Sequence, residues 1–421
     1  MKKFLKITTI MGLIITMVNC NNDDEPINEV PTPVNQKPNA FNLLSINNNA
    51  VFAAVKPTLK WETATDPDGD AVEYFLRLDE SPTPTTLVKG NMTTTSYKLE
   101  DRLSLDKKYY WQVAAKDSKG NTTKSDEIFS FTTRNLNFNN TPVTSNAAFT
   151  ARNSHTSTVY DNKMWVIGGH DGNERRDVWY STDGVAWFSA TAGAAFSARN
   201  YHATTVFDSK MWVIGGLNGS ALNDVWYSID GVGWWPASTS ASFSPRFGHT
   251  AVTFKNRMWV IGGDDGSIKN DVWYSPDGIT WIEATANAAF SGRAYHTTVV
   301  FDGKLWVIGG NGGGLDYKND VWFSEDGVTW TQATSNANFS ERAHHTTAVF
   351  DNKLWVFGGY NGSSNYKNDA WYSEDGITWL EATSLTPFSG RYGLTSATFD
   401  NKIWVIGGYD GAYKNDVWVM N

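Results

Sequence analysis

The chain contains six successive copies of one short pattern, and this repetition constrains its fold more than any other feature. Each copy begins with Arg-x-x-His or, in the last copy, a variant of it, and successive copies start 47 or 49 residues apart. The copies read RNSH (152–155), RNYH (199–202), RFGH (246–249), RAYH (293–296), RAHH (342–345) and RYGL (391–394). A period of this size predicts an array of equal structural units rather than one continuous core.

Each copy continues with an apolar segment that ends in two glycines, followed by an Asp-Val-Trp segment. The first set is MWVIGG at 164, 211 and 258, LWVIGG at 305, LWVFGG at 354 and IWVIGG at 403. The second set is RDVW at 176, NDVW at 223, 270, 319 and 415, and NDAW at 368. Apolar segments without polar alternation are typical of strands buried on both faces. The copies therefore predict small sheets that stack face to face.

The period, the Gly-Gly strand end and the later tryptophan together resemble the kelch repeat, whose units are four-stranded blades of a β-propeller. The resemblance covers residues 136–421 and implies a six-bladed kelch-type propeller. Composition agrees with an all-β chain, because 20 Trp and 36 Gly favour strands joined by turns.

A second repeated segment, Ser-x-Asp-Gly-x-x-Trp, occurs only five times. Its copies are 181–187, 228–234, 275–281, 324–330 and 373–379. Asp-Gly suits a tight hairpin, and the Asp box of sialidases has an extra residue between its Asp and Gly, so a hairpin is favoured over a sialidase signature. The sixth unit lacks this hairpin and its outer strand. Residues 138–146 align with an outer strand, and we expect them to close the ring.

The N-terminus resembles a bacterial lipoprotein signal. Lys2 and Lys3 precede a short apolar stretch, and Cys20, the only cysteine, follows it directly. The resemblance implies a signal peptide at 1–19, lipidation of Cys20, a flexible linker over 20–36 and attachment to the outer membrane. The acidic tract NNDDE at 21–25 resembles those of lipoproteins exposed at the cell surface; a solvated linker explains it equally well.

Residues 37–135 contain short apolar runs separated by turns, as in a small β-sandwich. They resemble an immunoglobulin-like fibronectin type III domain, with Trp61 at an early core position and Leu103 with Tyr109 matching its tyrosine corner. Within this segment Asp66, Asp68 and Asp70 are spaced two apart, as calcium ligands can be. A tight turn explains the same residues, because Asp, Pro and Gly favour turns and no bidentate Glu follows.

Charge and cysteine content exclude two function classes. The formal net charge is −9, which disfavours a nucleic-acid partner. Galactose oxidase shares the kelch propeller, but its radical site needs a tyrosine crosslinked to a cysteine, and the only cysteine is Cys20 in the leader. We expect no cofactor.

The repeated polar residues favour structural roles. Five histidines share one repeat position and are interpreted as scaffold residues: His155, His202, His249, His296 and His345. The six repeat arginines are scaffold candidates too, although the matching arginine of some kelch propellers lines the channel and binds acidic ligands. They are Arg152, Arg199, Arg246, Arg293, Arg342 and Arg391.

Ligand recognition is expected where the copies differ, because the scaffold is repeated and a partner is not. Residues after each Arg supply Tyr201, Phe247, Tyr295, His344 and Tyr392, and residues after each Gly-Gly supply His170, Asp171, Asp265, Tyr360, Tyr409 and Tyr413. Aromatic and Asn or Asp side chains suit the faces and hydroxyl edges of sugars, and they suit a peptide equally. Non-catalytic recognition of a glycan or protein ligand is therefore the favoured function.

Two alternatives remain from the sequence. A kelch sugar epimerase or mutarotase would need an acid–base group at the channel, and Glu341 with His344 is the candidate pair. A surface Glu and a loop His explain the same residues, and no second acid or base is identifiable, so an enzyme is disfavoured. The third possibility is a structural spacer in an envelope assembly.

Overall fold

The structure, a computed structural model, describes residues 34–362 and 366–421, and every regular element there is a β-strand. The predicted signal peptide, Cys20 and residues 20–33 of the predicted linker lie outside the described residues. Among the described residues no helix has the length and apolar composition needed to cross a bilayer.

Nine strands form two sheets between residues 43 and 133. They are β1 (Leu43–Ser45), β2 (Ala50–Ala53), β3 (Thr58–Trp61), β4 (Glu73–Asp79), β5 (Leu87–Met92), β6 (Ser96–Lys98), β7 (Lys108–Lys116), β8 (Thr122–Lys124) and β9 (Phe129–Thr133). One sheet has the order β1-β3-β6 and the other β2-β9-β7-β4-β5, with β8 paired to β7. Buried and outward residues alternate along β4, as one-sided burial requires. Both sheets contribute to one core around Trp61 and Trp111.

The repeat region forms six sheets, here called blades 1 to 6 in chain order. Blade 1 is β10 (Thr156–Tyr160), β11 (Lys163–His170), β12 (Glu174–Ser181) and β13 (Phe188–Thr191); blade 2 is β14 (Ala203–Phe207), β15 (Lys210–Asn218), β16 (Ser220–Ser228) and β17 (Trp235–Ser238); blade 3 is β18 (Thr250–Phe254), β19 (Arg257–Asp264), β20 (Ile268–Ser275) and β21 (Ile282–Thr285). Blade 4 is β22 (Thr297–Phe301), β23 (Lys304–Asn311), β24 (Tyr317–Ser324) and β25 (Thr331–Thr334); blade 5 is β26 (Thr346–Phe350), β27 (Lys353–Phe357), β28 (Ala370–Ser373) and β29 (Leu380–Thr383); blade 6 is β30 (Thr395–Phe399), β31 (Lys402–Tyr409) and β32 (Tyr413–Met420). Strands pair antiparallel in chain order within each blade.

The six blades form a closed ring. The first strand of each blade contacts the first strands of both neighbours, including β10 with β30. Each second strand is buried on both faces, as its unbroken apolar sequence predicts. Six apolar clusters fill the spaces between blades; the one between blades 6 and 1 contains Val166, Trp187, Trp404 and Ile406. An all-β kelch-type propeller is therefore present.

Residues 137–147 lie against β32, in the place of the fourth strand that blade 6 lacks. Val143 donates its backbone N–H to the Val417 carbonyl at 2.9 Å, and Val417 donates to Thr144 at 2.9 Å. Asn137 and Asn421 exchange backbone hydrogen bonds at 2.9 and 3.2 Å. The segment before blade 1 is thus hydrogen-bonded to the last strand of blade 6, which covers that strand edge.

The Ser-x-Asp-Gly turns connect the third and fourth strands of blades 1 to 5. In blade 4 the Asp326 carboxylate accepts backbone N–H groups of Val328 and Thr329 at 2.8 and 2.7 Å. Gly327 has a φ of +80°, and a Cβ there would lie 2.3 Å from the Trp259 ring of blade 3. The turn therefore packs one blade against the preceding blade, which is a structural role.

Antiparallel connectivity divides the propeller into two faces. The Arg-x-x-His and Gly-Gly segments lie at one end of the strands, here called the GG face, and the Ser-x-Asp-Gly turns lie at the other, the DG face. The N-terminal sheets contact blade 5 at its DG face: Asp351 accepts hydrogen bonds from Arg102 and from the backbone of Leu105. The Lys353 ammonium donates to the Leu105 carbonyl at 2.7 Å, and Lys107 donates to Glu374 at 2.7 Å. The GG face is left uncovered by these contacts.

Candidate functional site

The six repeat arginines are buried inside the blades and do not reach a ligand site. Arg246 donates to both oxygens of Asp271 at 2.7 Å, to the Gly262 carbonyl at 2.9 Å, and to the hydroxyl and carbonyl of Ser244 at 3.0 and 3.2 Å. These bonds use all five guanidinium donors. Burial opposes ionisation of Asp271, but Arg246 outweighs it and the pKa of this carboxyl is lowered.

The same arrangement occurs in every blade, with an Asp 25 or 27 residues after the Arg. The pairs are Arg152–Asp177, Arg199–Asp224, Arg246–Asp271, Arg293–Asp320, Arg342–Asp369 and Arg391–Asp416. The arginine side chains are 0–2% exposed. The expectation that arginines bind an acidic ligand is therefore corrected: their donors are saturated, and they hold each blade's channel loop to its third strand.

Five repeat histidines form a buried ring around the channel, and they explain the Gly-Gly pairs. His202 lies between blades 1 and 2, and its Nε2 is 3.0 Å from the Thr156 hydroxyl. A Cβ on Gly168 would lie 3.0 Å from His202 Cε1, and one on Gly216 would lie 2.7 Å from His202 Cβ. Burial lowers the pKa of His202 well below its ordinary value, with Arg199 adding to the effect. Burial therefore favours the neutral imidazole, which packs against glycine backbone on both sides.

Two positions of the histidine ring lack the hydrogen bond between His and Thr: at one the hydroxyl is missing, and at the other the histidine is missing. Blade 2 has Ala203 where the hydroxyl would be, and both ring nitrogens of His249 lack a hydrogen-bond partner among the described residues. Blade 6 has Leu394 in place of the histidine, and the spare hydroxyl of Thr346 pairs with Ser396 at 2.6 Å instead. Leucine thus occupies this position with the Gly-Gly pair unchanged.

The residue two places after each repeat Arg forms the mouth of the channel on the GG face. All six have φ between +48° and +62°, and each donates its backbone N–H to the carbonyl of the same residue in the preceding blade at 2.7–3.1 Å. They are Ser154, Tyr201, Gly248, Tyr295, His344 and Gly393. This closed ring of hydrogen bonds fixes the backbone, so these positions differ only in the side chain that each places at the axis.

Three aromatic side chains fill the channel mouth. Tyr295 stacks on His344, with ring centroids 3.9 Å apart, and Tyr201 meets Tyr295 edge-on at 5.0 Å. Gly248 leaves space for this packing, because a Cβ there would lie 2.8 Å from the Tyr295 ring. Beneath them a cavity of about 140 Å³ extends to the histidine ring. The predicted residue Phe247 lies beside the group, 6.2 Å from Tyr295.

The candidate catalytic pair is not brought together. Glu341 is exposed, and no hydrogen bond or ion pair in the described part of the chain joins it to His344. His344 is instead packed among aromatic rings, and burial lowers its pKa to about 3. An imidazole with this pKa is almost entirely neutral near pH 7 and is a weak base. The described geometry therefore disfavours this pair as an acid–base couple, and its catalytic role stays an untested alternative.

A second aromatic group, here called the aromatic arc, extends from the channel mouth toward the rim across blades 5, 6 and 1. It consists of Tyr360, Tyr366, Tyr392, Tyr409, Tyr413 and His170. Ring centroids are 5.7 Å apart for Tyr360–Tyr392, 5.5 Å for Tyr392–Tyr409 and 5.1 Å for Tyr409–Tyr413. The Tyr413 hydroxyl lies 2.9 Å from His170 Nδ1. All six side chains are partly exposed.

Backbone pairing explains why separate sequence segments meet in the arc. Tyr392, directly after a repeat Arg, forms an isolated bridge with Tyr409, directly after a Gly-Gly pair. Tyr413 begins the next strand, β32, and so returns to the same face. Ring contacts between Tyr392 and His344, 5.5 Å apart, connect the arc to the channel mouth.

Sequence reasoning identified most of this group but missed two tyrosines. Tyr366 belongs to the arc, and Tyr317 of blade 4 contacts Tyr360 edge-on at 5.8 Å. Both precede a Lys-Asn-Asp segment, as Tyr413 does. The corresponding residues of blades 1 to 3 are Glu174, Ala221 and Ile268, so comparison at this repeat position would have revealed the aromatic bias of blades 4 to 6.

The candidate calcium residues form a turn. Asp66 Oδ1 accepts the backbone N–H groups of Asp68 and Asp70, Asp68 accepts the Gln36 N–H at 2.6 Å, and Asp70 accepts the Ser118 hydroxyl at 2.8 Å. No group of three or more His, Cys, Asp or Glu side chains placed to hold a metal ion exists in residues 34–362 and 366–421. The three carboxylates take part in the hydrogen bonds of a turn, and calcium binding stays a prediction.

Comparisons with known proteins agree with the propeller. Residues 116–263 and 248–421 match the model of the KLHDC2/KLHL20/DRC7 Kelch-repeats domain. A solved structure, titled Structure of YjhT, aligns with 66% of this chain and 100% of its own at 17% identity and a TM-score of 0.56, a similarity of fold. No curated protein matches the chain.

Proposed function

The chain belongs to the Kelch-repeat family of the KLHDC2/KLHL20/DRC7 type, and on this premise we propose that its propeller is a non-catalytic recognition module that binds a glycan or protein ligand on the GG face. The aromatic arc carries the proposal. Its tyrosines are concentrated in one sector of an otherwise repeated ring, where a ligand without six-fold symmetry would bind. Tyrosine supplies large contact area together with a polar group at low entropic cost.

The chemistry of the channel supports binding rather than catalysis. A catalytic base needs a pKa near the working pH, and the pKa of His344 is lowered to about 3 by burial. The repeat arginines already have their donors paired within the blades. The aromatic rings and hydroxyls of the arc can orient and hold a ligand by stacking and hydrogen bonding.

Placement of the N-terminal sheets is consistent with this function. Their contacts with blade 5 use the DG face, so the GG face stays accessible. We propose that residues 37–135 are a fibronectin type III-like spacer; the shared core and the Ser104 N–H bound to the Tyr109 hydroxyl at 3.2 Å support this. We also propose lipid anchoring through Cys20 at the outer membrane, with the propeller at the cell surface.

The recognition proposal is tested by screening the purified full chain against arrayed glycans and envelope proteins, with Tyr392→Ala beside wild type. Phe188→Ala is the matched control, because Phe188 is 51% exposed on the outer strand β13, away from the arc. We expect a ligand whose binding falls about tenfold in Tyr392→Ala and is unchanged in Phe188→Ala. A ligand that binds both variants as wild type, or no ligand from either class, would contradict the proposal.

Anchoring is tested separately by expressing Cys20→Ser in a bacterium that processes lipoproteins. Wild type should incorporate labelled fatty acid, fractionate with the outer membrane and be degraded by protease added to intact cells. The Cys20→Ser chain should incorporate no label. Equal labelling of both chains would remove the assignment of Cys20, and protection of labelled wild type from protease would remove the surface location.

A further inference from the structure

We propose that the aromatic arc is a binding site for an uncharged oligosaccharide, whose successive sugar units contact the tyrosines between the channel mouth and the rim. This inference rests on the proposed recognition function and deepens it, because it selects one ligand class and one sector of the GG face. Three observations carry it: the spacing of the rings, the state of their hydroxyls, and the pairing of the surrounding charges.

Spacing along the arc is regular. From Tyr360 through Tyr392 and Tyr409 to Tyr413 the ring centroids follow one another at 5.1–5.7 Å. These distances are those of aromatic rings in contact, so the four rings form one continuous aromatic surface that several sugar units could cover. Neighbouring rings are inclined by 42–66°, so the arc presents both ring faces and phenol edges. Sugars present the same combination of apolar faces and hydroxyl edges.

Within residues 34–362 and 366–421, most phenol hydroxyls of the arc have no hydrogen-bond partner. In the described part of the chain no hydrogen bond is formed by the phenol groups of Tyr360, Tyr366, Tyr392 or Tyr409, whereas Tyr413 is paired with His170. Each phenol can donate one hydrogen bond and accept others. A ligand rich in hydroxyls would satisfy these groups on contact, and a purely apolar partner would leave them unpaired at a cost.

Most charges next to the arc are paired with their neighbours, whereas Lys367, the blade 5 counterpart of Lys414, forms no ion pair within the described residues. Lys414 pairs with Asp410 at 3.0 Å, and Asp410 also accepts the Ser389 hydroxyl. On the blade 1 side Arg175 pairs with Asp171. The repeat arginines, the usual charged anchors of protein interfaces, are buried in the blades. A surface with these paired charges matches an uncharged ligand better than an acidic or basic one.

The test measures binding of the full chain to cellohexaose, laminarihexaose, maltohexaose and xylohexaose by titration calorimetry and saturation-transfer NMR. Tyr360→Ala, Tyr392→Ala and Tyr409→Ala report on the arc, and Tyr409→Phe keeps the ring while removing the hydroxyl. Phe188→Ala and Trp235→Ala are matched controls, because these side chains are 51% and 44% exposed on outer strands. Thermal unfolding of every variant verifies that the propeller remains folded.

We expect at least one oligosaccharide to bind, each arc alanine variant to weaken binding about tenfold, and the controls to bind as wild type. Tyr409→Phe should weaken binding less than Tyr409→Ala, because stacking on the ring is preserved and only one hydrogen-bonding group is lost. Carbohydrate binding that the controls reduce as much as the arc variants would overturn the inference. A protein ligand that needs the arc, with no sugar binding, would overturn the carbohydrate assignment while leaving the recognition function intact. Absence of any ligand that needs the arc would overturn both.

Discussion

The buried histidine ring should make propeller stability depend on pH, and His249 gives the clearest test. Burial, with Arg246 adding to it, lowers the pKa of His249 from 6.5 to about 3 in the folded chain. In the unfolded chain the imidazole titrates near its ordinary value. By pH 5 the unfolded state therefore binds almost one more proton at this histidine than the folded state does. The contribution of this histidine to folding stability is therefore complete above its ordinary pKa of 6.5 and is lost as the pH falls toward about 3.

His249→Leu should remove one such contribution. Leu394 already fills the equivalent position in blade 6, so leucine fits this ring, and His249 gives up no partnered hydrogen bond. We expect the free energy of unfolding at pH 7 to change by no more than about 1 kcal/mol. From pH 7 to pH 5 wild type should lose about 2 kcal/mol more than the variant, from a proton uptake confined to the unfolded state.

Urea unfolding followed by tryptophan fluorescence measures this difference, because all but Trp61 and Trp111 of the 20 tryptophans lie in the propeller. His202→Leu is the control: it should flatten the pH dependence as well, but cost about 1 kcal/mol at pH 7 because Thr156 loses its partner. If wild type and His249→Leu lose stability in parallel between pH 7 and pH 5, the assignment of a neutral, buried His249 is wrong.

Three further perturbations test the scaffold. Gly263→Ala should destabilise the propeller by several kcal/mol and Gly266→Ala by only about 1–2 kcal/mol. Both glycines have φ near +100°, but only at Gly263 would a Cβ meet neighbouring backbone and a histidine. Thermal unfolding of the two variants measures the difference. Asp271→Asn should cost about 3–5 kcal/mol in urea unfolding, since it leaves a buried guanidinium without its carboxylate. Lys353→Met should speed hydrogen exchange at residues 102–107, because it removes the hydrogen bond to the Leu105 carbonyl. Lys402→Met, the equivalent change in blade 6, should leave this exchange unchanged. Equal exchange in both variants would contradict a stabilising contact between Lys353 and Leu105.

The repeat made the propeller predictable, because each blade carries the same strand and glycine pattern at a fixed spacing. The pairing of Arg with Asp was missed, although both occur six times at a constant separation. Equal copy number of opposite charges was the available signal that the arginines are internal. Because each Arg was considered without its Asp, a ligand role was left open for arginines whose hydrogen-bond donors are all used within the blade.

The aromatic arc was only partly predictable, for a physical reason. Tyr366 precedes the third strand of blade 5, and a tyrosine next to a strand does not by itself indicate a binding site. Its proximity to Tyr392 and Tyr409 depends on how blades 5 and 6 lie next to each other in the ring. His344 shows the same limit, since its ring stacks on Tyr295 of the preceding blade, a contact that its position near Glu341 in the sequence does not indicate.

These contacts separate the repeat positions that stabilise the fold from those that are available to a ligand. The Arg, Asp, His and Gly-Gly positions are occupied by hydrogen bonds and close packing, so most changes there would act on stability. Three positions per blade reach the GG face without such obligations: the residue directly after the Arg, the residue after Gly-Gly, and the residue three places before the repeat Asp. Tyr392, Tyr409 and Tyr413 exemplify the three. Ligand specificity can therefore vary at these positions with little effect on the fold, which is why they carry the proposed site.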